Sequence, residues 1–159
     1  MITINVICIG KIKEDFFKKA IIEYSKRLSK FCKLNIIELP DEKLPDKLNP
    51  SLISIIKEKE CDNIIKHLPK NTYTISLDLK GKEYSSENFA EKIDNLTLNT
   101  SSITFIIGGS LGLTDDILKI SSEKICFSKM TFPHQLIRIF LLEQIFRAFK
   151  IINGENYHH

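Results

Sequence analysis

Ser102-Ile103-Thr104-Phe105-Ile106-Ile107-Gly108-Gly109-Ser110-Leu111-Gly112 runs from an apolar, β-branched strand directly into a glycine-rich turn. A few residues on, Asp115 and Asp116 mark the start of a short helix, where the helix dipole favours negative charge. Strand, tight turn and helix therefore follow one another without a spacer. The same order recurs on both sides. Upstream, Ile2–Ile9 is a strand ended by Gly10, residues 14–28 show helical spacing through Phe17, Ile21, Tyr24 and Leu28, and residues 33–39 form a second strand. Three prolines between Pro40 and Pro50 make a loop, and Asn49-Pro50 opens a helix to about His67. Residues 73–79 form a third strand with Lys80-Gly81-Lys82 as its turn, and Ser86 caps a helix to about Leu98. Downstream, residues 124–127 form a short fifth strand, and Pro133 opens a long helix to about Ile152. Five strands alternating with five helices predict an α/β fold, a mostly parallel sheet with helices on both faces, in a single domain over residues 1–159.

In such sheets ligands bind beyond the carboxyl ends of the strands. That singles out the segments after Leu77, Ile107 and Phe127. Glycines after a buried strand let a ligand approach the backbone, and a following helix start favours anions. The glycine turn matches neither a dinucleotide fingerprint nor a P-loop, and a tight turn without a ligand accounts for it equally well. The loop Phe127-Ser128-Lys129-Met130-Thr131-Phe132-Pro133-His134 is rich in Phe and Met where loops are usually polar. It suits either an adenine ring with a thioether or plain packing. In the last helix Leu141, Leu142, Ile145, Phe149 and Ile152 form an apolar stripe, with Glu143, Arg147 and Lys150 on the polar side. Arg138 falls on the stripe one turn after His134. A guanidinium there needs an anion, supplied by a structural carboxylate or by a substrate. The further apolar positions Ile137, Ile139, Phe140 and Phe146 suit a helix shared with a partner chain. Tyr157 and His158 in the tail can move protons or stack on bases; His159 is assigned no role.

Composition excludes several classes. No apolar run is long enough to span a bilayer, and the first ten residues lack the features of a signal peptide, so a cytoplasmic location is expected. Cys8, Cys32, Cys61 and Cys126 lie far apart, without metal-ligand spacing; reduced thiols and no metal are expected. Net charge is only +3, but residues 1–33 hold eight Lys/Arg against three acids. Lys19, Lys26 and Lys30 share one helical face, which is either simply solvated or attracts phosphates.

Taken together, F-S-K-M-T-F-P-H-Q at 127–135, the glycine turn at 108–112, G-E-x-Y-H at 154–158, G-K-I-K at 10–13 and I-I-E-L-P-D-E-K at 36–43 resemble the RlmH family. These are SPOUT-class methyltransferases that act on a pseudouridine of large-subunit ribosomal RNA. The resemblance spans essentially the whole chain; Leu111 and Asn153 depart from the family's pattern. It implies a SPOUT fold with a C-terminal trefoil knot within about residues 73–159, and S-adenosyl-L-methionine as cofactor. By position, Leu77, Gly108, Phe127, Ser128, Lys129, Met130, Thr131 and Phe132 would contact the cofactor. Arg138, His134, Tyr157 and His158 would serve catalysis. The resemblance further implies a homodimer whose partner helps build each site, and large-subunit rRNA of the assembled ribosome as substrate, giving N3-methylpseudouridine. Two alternatives stay open: a SPOUT methyltransferase for another RNA nucleotide, and a non-catalytic ribosome- or RNA-binding protein.

Overall fold

A computed structural model describes residues 1–158; His159 lies outside the described residues. The elements are β1 (Ile2–Ile9), α1 (Asp15–Leu28), β2 (Cys32–Leu39), α2 (Pro50–His67), β3 (Tyr73–Glu83), α3 (Ser86–Asn99), β4 (Ser102–Ile107), α4 (Asp115–Ile120), β5 (Glu123–Cys126) and α5 (His134–Ile152). The strands form one sheet in the order β2-β1-β4-β3-β5, and every pair is parallel.

Side chains alternate across a strand, so each strand feeds two cores. Ile4, Val6 and Cys8 of β1, with Ile103, Phe105 and Ile107 of β4, face Phe89 and Ile93 of α3 and Leu141, Ile145 and Phe149 of α5. Ile7, Ile9 and Ile106 face the opposite way, against Cys61 and Ile64 of α2 and Ile117 of α4. Helices thus cover both faces, as the alternation predicts. Nearer the amino end of the sheet, Asn5 donates to Thr104 Oγ1 at 3.2 Å and accepts from Asn35 at 2.9 Å, so these buried amides and hydroxyls are paired within the sheet. Cys8, Cys32, Cys61 and Cys126 are buried and unpaired; burial pushes the Cys8 thiol up to about 12.

Two local readings change. β3 does not end at Leu79: it runs on to Glu83, with a register shift against β5 between Leu77 and Lys82. A Cβ at Gly81 would lie 2.6 Å from the Ile125 carbonyl carbon, so only glycine lets β3 lie this close to the β5 backbone. The α3 cap is Ser85, which accepts from Asn88 N. Ser86 instead donates to Gln144 Oε1 at 2.8 Å, joining α3 to α5. The α2 start is as predicted, with Asn49 Oδ1 accepting from Leu52 N at 2.9 Å.

Candidate active site

At the carboxyl ends of β4 and β5, and beside the register shift within β3, lies a cavity of about 790 Å³, built from three stretches, 77–79, 107–113 and 125–134, closed by Ile137 of α5. These are the three segments singled out by the strand-end rule. Of the eight residues assigned to the cofactor, seven form its wall. Lys129 is exposed and does not. Its walls are mainly apolar, with Leu77, Phe127, Phe132 and Ile137 among them; Asp78, Ser110, Ser128, Thr131 and His134, with the backbone of the glycine turn, are the polar component.

The turn after β1 meets the start of α5 at this cavity. Gly10 has φ +98°, and a Cβ there would lie 2.9 Å from His134 Cε1; glycine is needed for both reasons. His134 lines the cavity, and its buried Nδ1 has no partner. Burial first, and the Arg138 charge second, lower its pKa below the ordinary 6.5, which keeps the ring neutral at pH 7. Arg138 is 1% exposed. Its Nη1 donates to Glu38 Oε2 at 2.6 Å and its Nη2 to the Gly10 carbonyl at 3.1 Å, while Nε is unpartnered. Glu38 Oε2 also accepts from Ile12 N at 3.0 Å. Within one chain, then, Arg138 has a carboxylate partner and braces the 10–12 turn from behind His134; it does not line the cavity.

Tyr157 and His158 lie elsewhere. Tyr157 Oη donates to Glu143 Oε1 at 3.1 Å, Arg147 Nη2 donates to the same oxygen at 2.8 Å, and His158 Nε2 pairs with Glu87 at 2.7 Å. Arg147 is nine residues beyond Arg138, about 13 Å along α5. This tail cluster borders a second cavity of about 550 Å³, which shares residues 125–128 and Phe132 with the first and has Tyr84, Phe140, Glu143 and Gln144 on its other walls. The Glu143–Arg147 pair is legible in the sequence as an i,i+4 spacing. Its convergence with the tail and Glu87 is not, because those partners are distant in sequence. Among the described residues no three His, Cys, Asp or Glu side chains are grouped as metal ligands, and no helix is long and apolar enough to cross a membrane.

A parallel sheet whose strand-end loops enclose a cavity against the start of the last helix is the arrangement of a SPOUT methyltransferase, and the family described as "Predicted SPOUT methyltransferase" matches residues 2–158. The chain belongs to that family. Within it, the chain is 57% identical over 156 residues to the ribosomal RNA large subunit methyltransferase H of Clostridium botulinum (strain Kyoto / Type A2), covering 98% of each protein. It is 55% identical, with the same coverage, to the protein of that name from Clostridium acetobutylicum. The RlmH family suggested by the sequence motifs is therefore the one to which this chain belongs. A probable methylase family protein from Haemophilus influenzae Rd KW20 shares the fold, with a TM-score of 0.54 at 11% identity over 98% of this chain and 70% of that one.

Proposed function

We propose that this protein transfers the methyl group of S-adenosyl-L-methionine to N3 of a pseudouridine in large-subunit ribosomal RNA, acting as a cytoplasmic homodimer on the assembled ribosome, with residues from about 73 onward threaded as a trefoil knot. The observation that carries the reading is the first cavity: seven of the eight residues expected at the cofactor meet there, from three separate stretches of the chain. The residues fit the group. Apolar faces at Leu77, Phe127 and Phe132 suit an adenine ring and a thioether, the glycine turn offers backbone to polar atoms, and the volume is that of a site for a cofactor-sized molecule.

When bound, a sulfonium supplies an activated methyl, so the protein's task is to align the target nitrogen and deal with one proton. His134, neutral and with an unpartnered nitrogen, is a proton acceptor at the cavity wall. Arg138 beside it holds His134 and the 10–12 turn in place and adds positive potential where negative charge develops on the target ring. Tyr157 and His158, in the tail beyond α5, pack on Glu143 and Arg147, more than two helical turns along α5 from His134. In a dimer they serve the partner's site. Met130 is 72% exposed and Phe140 37%, and these apolar surfaces beside the two cavities suit burial against a second copy.

The test is methyl transfer from labelled S-adenosyl-L-methionine to purified large subunits and whole ribosomes lacking the modification, beside free rRNA. Label mapped to N3 of one pseudouridine on assembled ribosomes is expected. Label at another nucleotide would overturn the substrate, and no label despite cofactor binding would overturn the activity.

A further inference from the structure

We propose that Glu60, on α2 and outside the cavity, is a positioning residue for cofactor binding: its buried carboxyl backs the glycine turn at Gly109 and fixes the cavity wall. This rests on the reading of that cavity as the S-adenosyl-L-methionine site.

Glu60 is 6% exposed, and α2 contributes no residue to the cavity. A Cβ at Gly109 would lie 3.4 Å from both carboxyl oxygens of Glu60 and 3.0 Å from Ile9 Cγ2. The space behind Gly109 is therefore bounded by Ile9 at the end of β1 and by the carboxyl of this one side chain. Its other neighbours in the turn, from Ile107 to Leu113, face the cavity. The backbone of Glu42, in the loop after β2, lies near the Glu60 carboxyl and favours its charged form. The charged groups facing Glu60 are Asp41 and Glu42, both acids; burial first, and then these two, raise its pKa. Among the described residues no cation pairs with the acid.

A buried carboxyl without a cation is costly, and its α2 neighbours Cys61 and Ile64 pack against the sheet with apolar side chains alone. Packing by itself would be served better by an apolar residue at 60. What an acid adds is a pair of oxygens placed behind the turn at Gly109 and beside the loop after β2, where they fill the space into which the turn would otherwise relax. A cavity wall held in advance spares the bound cofactor the cost of ordering it.

The experiment is calorimetric binding of S-adenosyl-L-methionine to the full chain, with initial rates on ribosomes lacking the modification. Glu60→Ala is expected to raise Kd and KM for the cofactor about tenfold, while kcat at saturating cofactor stays within about threefold. Glu60→Gln, which keeps the shape and an acceptor oxygen, is expected to restore binding to within about threefold. Gly109→Ala is expected to weaken binding by itself, and to weaken it less in the Glu60→Ala background, where the space behind the turn is vacated. Should Glu60→Ala not fold, Glu60→Asp withdraws the carboxyl by one methylene and carries the same expectation for Kd. Unchanged Kd in Glu60→Ala or Glu60→Asp, or independent effects of the two positions, would overturn the proposal. Absence of binding by the unaltered protein would overturn the cofactor reading as well.

Discussion

The two ends of α5 are built differently. At its start, Pro133 offers no capping side chain, His134 Nδ1 and Arg138 Nε are buried without partners, and the first turn opens on a cavity. At its far end, Glu143 accepts from Gln144, Arg147 and Tyr157, Arg147 reaches both Glu143 and His158, Lys150 pairs with Glu155, and the last turn is closed by Asn153 N on the Phe149 carbonyl. Buried polar groups are normally satisfied, and those left open concentrate where a structure awaits something else. The difference teaches that one helix has a binding end and a holding end, although both carry an arginine and a histidine nearby.

Four substitutions or conditions sharpen or break that contrast. The largest effect is expected from Arg138→Ala. It removes a buried charge from Glu38 and Gly10, with a stability loss of about 3 kcal/mol read by thermal melting. Methyl transfer should fall by about 100-fold or more even below the melting range; full activity there would reduce Arg138 to a brace. Next is Gly10→Ala, which puts a methyl against His134 and forces an unfavourable φ, at about 1–3 kcal/mol. Turnover should fall more steeply than cofactor affinity, and equal losses in both would count against a role for His134 in the chemical step. Third is Glu143→Ala at the holding end, where the exchange should release Tyr157 and Arg147 and cost about 1–2 kcal/mol. Cofactor affinity should be unchanged, and a large rise in Kd would dissolve the distinction between the ends.

The smallest is a pH effect. The folded-state pKa of His134 is lowered, so its contribution to stability is present above the unfolded value of 6.5 and is lost as pH falls through the folded value. Melting temperature should therefore drop between pH 7.5 and 5.5 by more in the unaltered protein than in His134→Asn. Parallel drops would assign the titration to another group.

The sequence carried the fold further than the site. Strand and helix alternation, the Asn49-Pro50 start and the apolar loop at 127–134 are all local signals, and local signals survive into structure when the core agrees with them. Lys80-Gly81-Lys82 misled because a glycine between lysines reads as a turn. Its actual cause is a backbone more than forty positions away, at Ile125. Ser85 and Ser86 cap equally well by type, and the partner that decides between them, Gln144, lies on another helix. Arg138 was conspicuous by its place on an apolar stripe, but Glu38 is 100 positions earlier, and no spacing rule reaches that far. Tyr157 and His158 are read from residue type as groups able to move protons; that the tail folds back to set them on Glu143 and Arg147 follows from packing, which residue type does not give.

The place of β4 has a consequence for how the chain is made. It lies between β1 and β3, yet it is synthesised after both. Until Ile107 has left the ribosome, β1 has one bare edge and β3 has no neighbour at all, since β5 comes later still. Unpaired edges invite pairing with other chains, and long-range parallel pairing is slow to form. A nascent chain of this protein is therefore most exposed to misassembly during synthesis of its middle third. The strand that ends this exposure runs on from Ile107 into the turn that forms one wall of the cavity, so an incompletely folded molecule has no binding site to offer.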